Sequence, residues 1–199
     1  MSALPASDRW LFLRRFLARG RRIASVTPSS RSMARALAAG VDPLRPQTIV
    51  ELGAGTGAVS GVVVERMHPR SRLLAVEADP ELWGVLRHRV PEAVQGDVAD
   101  LPALLDAHGV GDVDLVVSGL PVPSLPYAIN VRMFEWLARL PGDVGFSQLT
   151  VMPWVYARLY RRLFRNVDFR PVPCNLPPGG VYHCRGVRED FRAALPGPR

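Results

Sequence analysis

The residues best placed to do chemistry are Glu51-Leu52-Gly53-Ala54-Gly55-Thr56-Gly57, with a second carboxylate, Glu77, 20 residues beyond the last glycine. An apolar run, Thr48-Ile49-Val50, leads into the glycines, and a helix-like stretch, Ala58 to Met67, follows them. A strand that ends in a glycine turn and feeds a helix lets the main chain approach a ligand, because no Cβ stands between them. The helix start adds unpaired N–H groups and the positive end of a dipole. Glu77 closes the next apolar run, Leu73-Leu74-Ala75-Val76, where a carboxylate can accept hydrogen bonds from a ribose diol. Glu51 offers nothing to a pyrophosphate but suits a cationic amino group. The spacing is Gly-x-Gly-x-Gly, not the Gly-x-Gly-x-x-Gly of dinucleotide sites. The plain alternative is a tight turn flanked by two exposed carboxylates.

A second constellation, Ser118-Gly119-Leu120-Pro121, follows the apolar run that ends at Val117. In an open α/β sheet, ligands bind beyond the carboxyl ends of the strands. Both constellations therefore need a parallel sheet to bring them together. The chain is patterned for one. Thr48–Leu52, Leu73–Glu77, Ala93–Gln95, Asp114–Ser118 and Gly145–Met152 read as strands. Ala58–Met67, Pro80–Arg89, Leu101–His108 and Ala128–Arg139 read as the helices between them. After a helix from Trp154 to Arg165, Asp168–Pro173 and Val181–Val187 flank a Pro-Pro-Gly-Gly turn too short for anything but an antiparallel hairpin. The expected fold is α/β: a Rossmann-like, seven-stranded, mostly parallel sheet with a C-terminal antiparallel hairpin, preceded by N-terminal helices.

Ahead of the sheet, Asp8 to Ser25 reads as an amphipathic helix. Trp10, Phe12, Leu13, Phe16, Leu17, Ile23 and Ala24 fall on one half, and Arg14, Arg15, Arg19, Arg21 and Arg22 on the other. Ser29 or Ser30 is placed to cap a second helix, Arg31 to Ala39. The expected organisation is an N-terminal membrane or lid segment over residues 1–42, a catalytic domain over 43–190, and a loose tail over 191–199.

The formal charge is +7, and all 25 basic side chains are arginine. With no lysine, Schiff-base and lysine-base chemistry is excluded. Guanidinium groups bind phosphate in two-pronged fashion, which points to a membrane surface or nucleic acid. No run of 18 apolar residues exists, so no spanning helix is expected, and the short stretch Trp10 to Leu13 is not a secretory signal. A hairpin would bring Cys174 near Cys184, but two reduced thiols are the expectation. No His and Cys spacing matches a metal site.

Together, Glu51-Leu-Gly-Ala-Gly-Thr-Gly57 and Glu77 resemble the first motifs of class I S-adenosylmethionine-dependent methyltransferases. The resemblance implies that Glu51 meets the methionine amino group and that Gly53, Gly55 and Gly57 pass beneath the ligand. Glu77 and Ala78 would then hold the ribose, and Asp97 and Val98 would meet the adenine. Asp97 reads equally well as a helix N-cap. Ser118-Gly119-Leu120-Pro121 resembles the loop of the bacterial phospholipid N-methyltransferases, where base-methylating relatives carry Asn-Pro-Pro-Tyr or Asn-Leu-Pro-Tyr. Phe12-Leu13-Arg14, Thr27-Pro28-Ser29-Ser30, Met33-Ala34-Arg35, Asn175-Leu-Pro-Pro178 and Val181-Tyr182 carry the same resemblance from Phe12 to Val187. It implies N-methylation of a lipid amino head group at the inner face of a bacterial membrane, with phosphatidylethanolamine and its methylated derivatives as substrates and S-adenosylhomocysteine as product; related members of that family methylate ornithine lipids. Ser29, Ser30 and Ser118 would lie beside the cofactor, and Ser118 to Pro121 with Tyr182 would serve the transfer. Main-chain carbonyls and the serine hydroxyl would hold the amine N–H. Val122-Pro123-Ser124 is less apolar than the family's pattern, which leaves the head group open. Tyr127, Trp154 and Tyr182 are aromatic candidates for a methylated ammonium, Tyr182 foremost, though each taken alone reads first as core packing. Arg158, Arg161, Arg162 and Arg165 form a second basic stripe that reads first as a solvated helix face. The alternatives are an rRNA adenine N6-methyltransferase-like enzyme and a non-catalytic cofactor-binding membrane protein.

Overall fold

The protein is described by a computed structural model, covering residues 28–151, 153–174 and 178–195. Its centre is a seven-stranded sheet in the order β3-β2-β1-β4-β5-β7-β6. The strands are β1 (Thr48–Leu52), β2 (Arg72–Glu77), β3 (Ala93–Gln95), β4 (Leu115–Ser118), β5 (Gly145–Thr150), β6 (Phe164–Val172) and β7 (Gly179–Val187). The first five run parallel, and β7 is antiparallel to both β5 and β6. The expected fold is the observed one.

The central strands are apolar on both sides because both faces are covered. On one face, α1 (Pro28–Leu37) and α2 (Ala58–Arg66) bury Met33, Leu37, Val62 and Val63 against Ile49, Leu73, Leu115 and Val181. On the other, α4 (Leu101–Ala107), α5 (Tyr127–Arg139) and α6 (Pro153–Leu163) cover Val50, Leu74, Val116, Phe146 and Cys184. The short helix α3 (Pro80–Leu86) starts from an N-cap, where Asp79 accepts from the N–H groups of Glu81 and Leu82 and Pro80 opens the first turn. The outer strand β6 exposes Arg165, Asp168, Arg170 and Pro171, which discourages pairing with another chain.

Several boundaries differ from the expected ones. The helix read from Arg31 begins at Pro28, so Ser29 and Ser30 lie within its first turn and do not precede it. The helix read through Arg165 ends at Leu163, and β6 starts at once with Phe164, four residues before the expected Asp168. Pairing of Phe164 with Val187 claims those residues for the sheet. Residues 191–195 are packed, not loose. A last helical turn, α7 (Phe191–Ala194), buries Phe191 and Leu195, and Phe191 joins an aromatic cluster with Phe134, Phe146 and Phe164. Cys174 is exposed and Cys184 buried, and both are free thiols. Among the described residues no helix is long and apolar enough to cross a membrane, and no cluster of His, Cys, Asp and Glu could hold a metal. The N-terminal amphipathic segment, with Arg14, Arg15, Arg19, Arg21 and Arg22, lies outside the described residues.

Candidate active site

The glycine loop leaves β1 and folds back over the end of β2. Gly53 and Ala54 donate to the Val76 carbonyl at 2.9 and 3.1 Å. Gly53, Gly55 and Gly57 all adopt left-handed backbone, with φ of 69°, 60° and 85°. Only glycine takes that conformation without strain. Nothing stands within 4 Å of the place where a Cβ on Gly55 would project, so this residue presents an open face of main chain. The side of Gly53 is closed by the Leu120 side chain, 2.5 Å from the corresponding position.

Two buried carboxylates frame this loop, each 2% exposed. Glu77 braces it from β2: Oε2 accepts from the Gly55 N–H at 2.7 Å and Oε1 from the Asp79 N–H at 2.9 Å. Burial raises the Glu77 carboxyl above its ordinary range, and those backbone donors partly oppose the rise. Glu51 is less well satisfied. Its Oε2 receives no hydrogen bond among the described residues. Burial lifts its carboxyl from 4.5 to about 8, the nearby Ser60 side chain pulls the other way, and the Glu77 charge adds to the rise. The Ser60 hydroxyl makes no hydrogen bond of ordinary length and angle among the described residues. A buried acceptor without a donor is costly, by about 1–3 kcal/mol. A cationic amino group would remove that cost and ionise Glu51. The orphaned oxygen and the open Gly55 face fit S-adenosylmethionine: Glu51 would take its amino group, the glycines its underside, and Glu77 its ribose with the lone pairs left over.

The acceptor loop begins where β4 ends. The Gly119 N–H donates to the Leu52 carbonyl at 2.9 Å, and a Cβ on Gly119 would stand 2.9 Å from the Gly53 carbonyl oxygen. The two predicted loops are therefore in van der Waals contact. Pro121 adopts φ −79° and ψ 69°, and Val122 N–H donates to the Leu120 carbonyl at 2.9 Å. This is an inverse γ-turn, which proline's fixed φ favours. Two amides that the sequence reading missed hold the loop from beneath. Gln148 Nε2 donates to the Leu120 carbonyl at 2.7 Å, and Asn130 Nδ2 donates to the Val122 and Leu125 carbonyls at 2.9 and 3.2 Å. A polar residue within a buried strand or an apolar helix face was the available signal for each.

The remaining candidates fall into place unevenly. Ser118 is fully buried, and its Oγ accepts weakly from the Leu120 N–H at 3.4 Å. Asp97 is an N-cap: it accepts from the Ala99 N–H at 2.8 Å and starts a single 3-10 turn, Val98–Asp100. Asp97 is exposed at the end of β3, Val98 is buried, and Ala78 is half-buried at the end of β2. Tyr182 pairs with Gln148 across β5 and β7, at the mouth of the sheet. Its ring stacks on Tyr160 at 4.5 Å, meets Phe169 at 5.0 Å, and its hydroxyl donates to the Pro153 carbonyl. In this arrangement Tyr182 is packed core and offers no free ring face. Tyr127 is half-buried at the start of α5, whereas Trp154 is 76% exposed. Arg158, Arg161, Arg162 and Arg165 are exposed, as a solvated face requires, and Arg165 pairs with Glu189 at 3.4 Å. The side chains of Ser29 and Ser30 lie outside the described residues.

The sheet order and the glycine loop define the class I S-adenosylmethionine-dependent methyltransferase architecture. The crystal structure of Burkholderia thailandensis 1,6-didemethyltoxoflavin-N1-methyltransferase, with 1,6-didemethyltoxoflavin and S-adenosylhomocysteine bound, superposes with a TM-score of 0.65 at 19% identity, covering 94% of this chain and 92% of that one. No protein-family model matches the chain. The ornithine lipid N-methyltransferase of Singulisphaera acidiphila is 43% identical over 190 residues, which span 92% of this chain and 99% of that enzyme. The chain belongs to the family of that enzyme, the bacterial lipid N-methyltransferases. The ribosomal RNA small subunit methyltransferase A of Burkholderia cenocepacia is 31% identical over 138 residues, but the match spans only 58% of this chain and 50% of that enzyme.

Proposed function

We propose that this protein N-methylates the amino head group of a membrane lipid with S-adenosylmethionine. The observation that carries the reading is the direct contact between the glycine loop and the acceptor loop at Gly53 and Gly119, on adjacent strand ends. The cofactor supplies an electrophilic methyl group on a sulfonium. The chain's own residues would supply the rest: Glu51 would anchor the far end of the cofactor, and the Ser118–Pro121 turn would bound the place where the amine meets the methyl group. Positioning is the main contribution of such a site, because a methyl transfer needs alignment more than acid–base help. With the cofactor bound, the amine lone pair would form the new carbon–nitrogen bond as the carbon–sulfur bond breaks, S-adenosylhomocysteine would leave, and a nitrogen that still carries hydrogen would release its proton to water.

The 43% relative supports an ornithine lipid ahead of phosphatidylethanolamine as the substrate. Action at a membrane surface is supported by Val151, Trp154 and Val155, which stand 37%, 76% and 51% exposed just past the carboxyl end of β5. Large apolar side chains exposed beside a site suit an interfacial enzyme. The arginines of the N-terminal segment would meet the anionic lipid phosphates. The partial match to an rRNA methyltransferase favours RNA as the second reading, against which stands the lack of Asn and of an aromatic in Ser118–Val122. Incubation with methyl-labelled S-adenosylmethionine and either mixed lipid vesicles or ribosomal RNA distinguishes them. Label in an amine lipid supports the reading, and label in RNA alone overturns it.

A further inference from the structure

Three carbonyls of the acceptor loop and the turn after it are already occupied. The Leu120 carbonyl already accepts two hydrogen bonds, from Val122 N–H at 2.9 Å and from Gln148 Nε2 at 2.7 Å. The Pro121 carbonyl accepts from Ser124 and Leu125, and the Val122 carbonyl from Leu125 and Asn130. A carbonyl oxygen has two lone pairs, so these three are full. Those three carbonyls offer no acceptor to an amine entering beside this turn.

Gln148 provides one. It is 1% exposed, and its Oε1 is buried with no hydrogen-bond partner among the described residues. Its orientation is fixed by chemistry: Nε2 donates both to the Leu120 carbonyl and to the Leu149 carbonyl, at 2.7 and 3.0 Å. Turning the amide over would set an oxygen against two oxygens, so the donor side faces the carbonyls and Oε1 faces away from them. Gln148 is also at the right level. It is the register partner of Ser118 on β4 and of Tyr182 on β7, in the row that closes the mouth of the sheet. Asn130 also carries an unpartnered oxygen, but it sits on α5 behind the Val122–Leu125 turn, not on the strand next to Ser118.

We infer that Gln148 Oε1 accepts an N–H of the substrate's amino group, while its Nε2 holds the acceptor turn in place. The inference rests on the amine-methylation reading given above. It has a chemical signature that a scaffolding role lacks. In the nucleophilic, neutral form a primary amine has two N–H bonds, a monomethylamine has one and a dimethylamine has none. As nitrogen attacks, it becomes positive and its N–H donates more strongly, so the bond to Gln148 tightens in the transition state. The bond exists for the first and second transfers and is absent from the third.

The test compares initial rates of the full-length enzyme and Gln148→Met on vesicles carrying the unmethylated, monomethylated or dimethylated amine lipid. Methionine keeps the volume and removes both polar functions. Where the third transfer is not catalysed, inhibition by the trimethylated lipid, which has no N–H to donate, takes its place. Loss of one charge-strengthened hydrogen bond is expected to lower kcat on the first two substrates by about tenfold to a hundredfold beyond any change on the third. An equal fall on all three would reduce Gln148 to a scaffold, and no fall would remove it from the site; either outcome overturns the inference. If Gln148→Met does not fold, a crystal structure of the unaltered enzyme with S-adenosylhomocysteine and phosphoethanolamine decides. The amine nitrogen is expected within about 3.2 Å of Oε1, and an amine directed elsewhere contradicts the proposal. Failure of the unaltered enzyme to methylate any amine lipid is a separate result, which sinks the functional reading itself.

Discussion

Replacing Glu51 with glutamine should uncouple cofactor binding from pH. Burial holds the Glu51 carboxyl up to about 8, so at neutral pH it carries a proton. An α-amino group keeps its charge up to a pKa of roughly 7.7–8.0. When that ammonium arrives beside Glu51, the pair is stable only with the carboxyl ionised, and the proton leaves to solvent. Affinity should therefore rise about tenfold per pH unit between roughly pH 6 and 7.5, level near pH 8, and fall above it as the ligand's amine loses its charge. The same proton affects the folded protein alone. Its carboxyl binds a proton more tightly folded than unfolded, so the contribution of this group to stability is fully present below pH 4.5 and is lost as pH rises towards 8. The interval corresponds to about 5 kcal/mol at most, and Glu77, raised in the same direction, adds to the trend. Calorimetric titration with S-adenosylmethionine at pH 6.5, in buffers of different ionisation enthalpy, counts the protons. About one should be released per cofactor bound by the unaltered protein and none by Glu51→Gln. Thermal melts from pH 5 to 8 should fall more steeply for the unaltered protein than for Glu51→Gln. A proton count of zero in the unaltered protein, or the same count in both, would refute the pairing of Glu51 with the amino group.

Gly119→Ala should impair cofactor affinity as well as turnover, because its Cβ would press on the Gly53 carbonyl at 2.9 Å. Pro121→Ala should lower turnover about tenfold with little change in affinity, since only the turn loosens; calorimetry beside the methyl-transfer assay separates the two variants. Phe191→Ala should destabilise the fold by about 3–5 kcal/mol, read from urea midpoints, because the ring is part of the aromatic cluster under α5 and β5. Trp154→Ala and removal of residues 1–25 should each weaken pelleting with anionic vesicles, and added salt should weaken it further through the arginines, at about 1 kcal/mol each. Equal pelleting by all variants would show that neither segment meets the membrane.

The central strands β1, β2 and β4 were legible because they are buried on both faces and read as largely apolar runs, followed closely by Gly, Pro or Asp. The failures have a common cause. Phe164 and Arg165 continue the helical pattern of α6, and only pairing with Val187 and its neighbours on β7 turns them into strand. Phe191 looks like a lone aromatic in a polar tail, and only Phe134 and Phe146, far away in sequence, give it a place. The site divides the same way. Glu51, Glu77 and the glycines were legible from type and spacing along one local segment. That Glu77 would brace the Gly55 N–H, and that Gln148 and Asn130 would saturate the acceptor turn, depends on contacts between distant segments. No local pattern encodes those. Tyr182 illustrates the converse: its placement at the mouth was expected, but Tyr160 and Phe169 cover its ring.

The measurement that tests the central claim most directly is mass spectrometry of the lipids from cells that lack amine-lipid methylation and express this protein. Amine lipids gaining one or more methyl groups with the unaltered protein, and none with Gly55→Val, are the predicted result. Valine there would strain a backbone with φ of 60° and fill the open face of the cofactor loop. An unchanged lipid spectrum from folded, cofactor-binding protein would contradict the account.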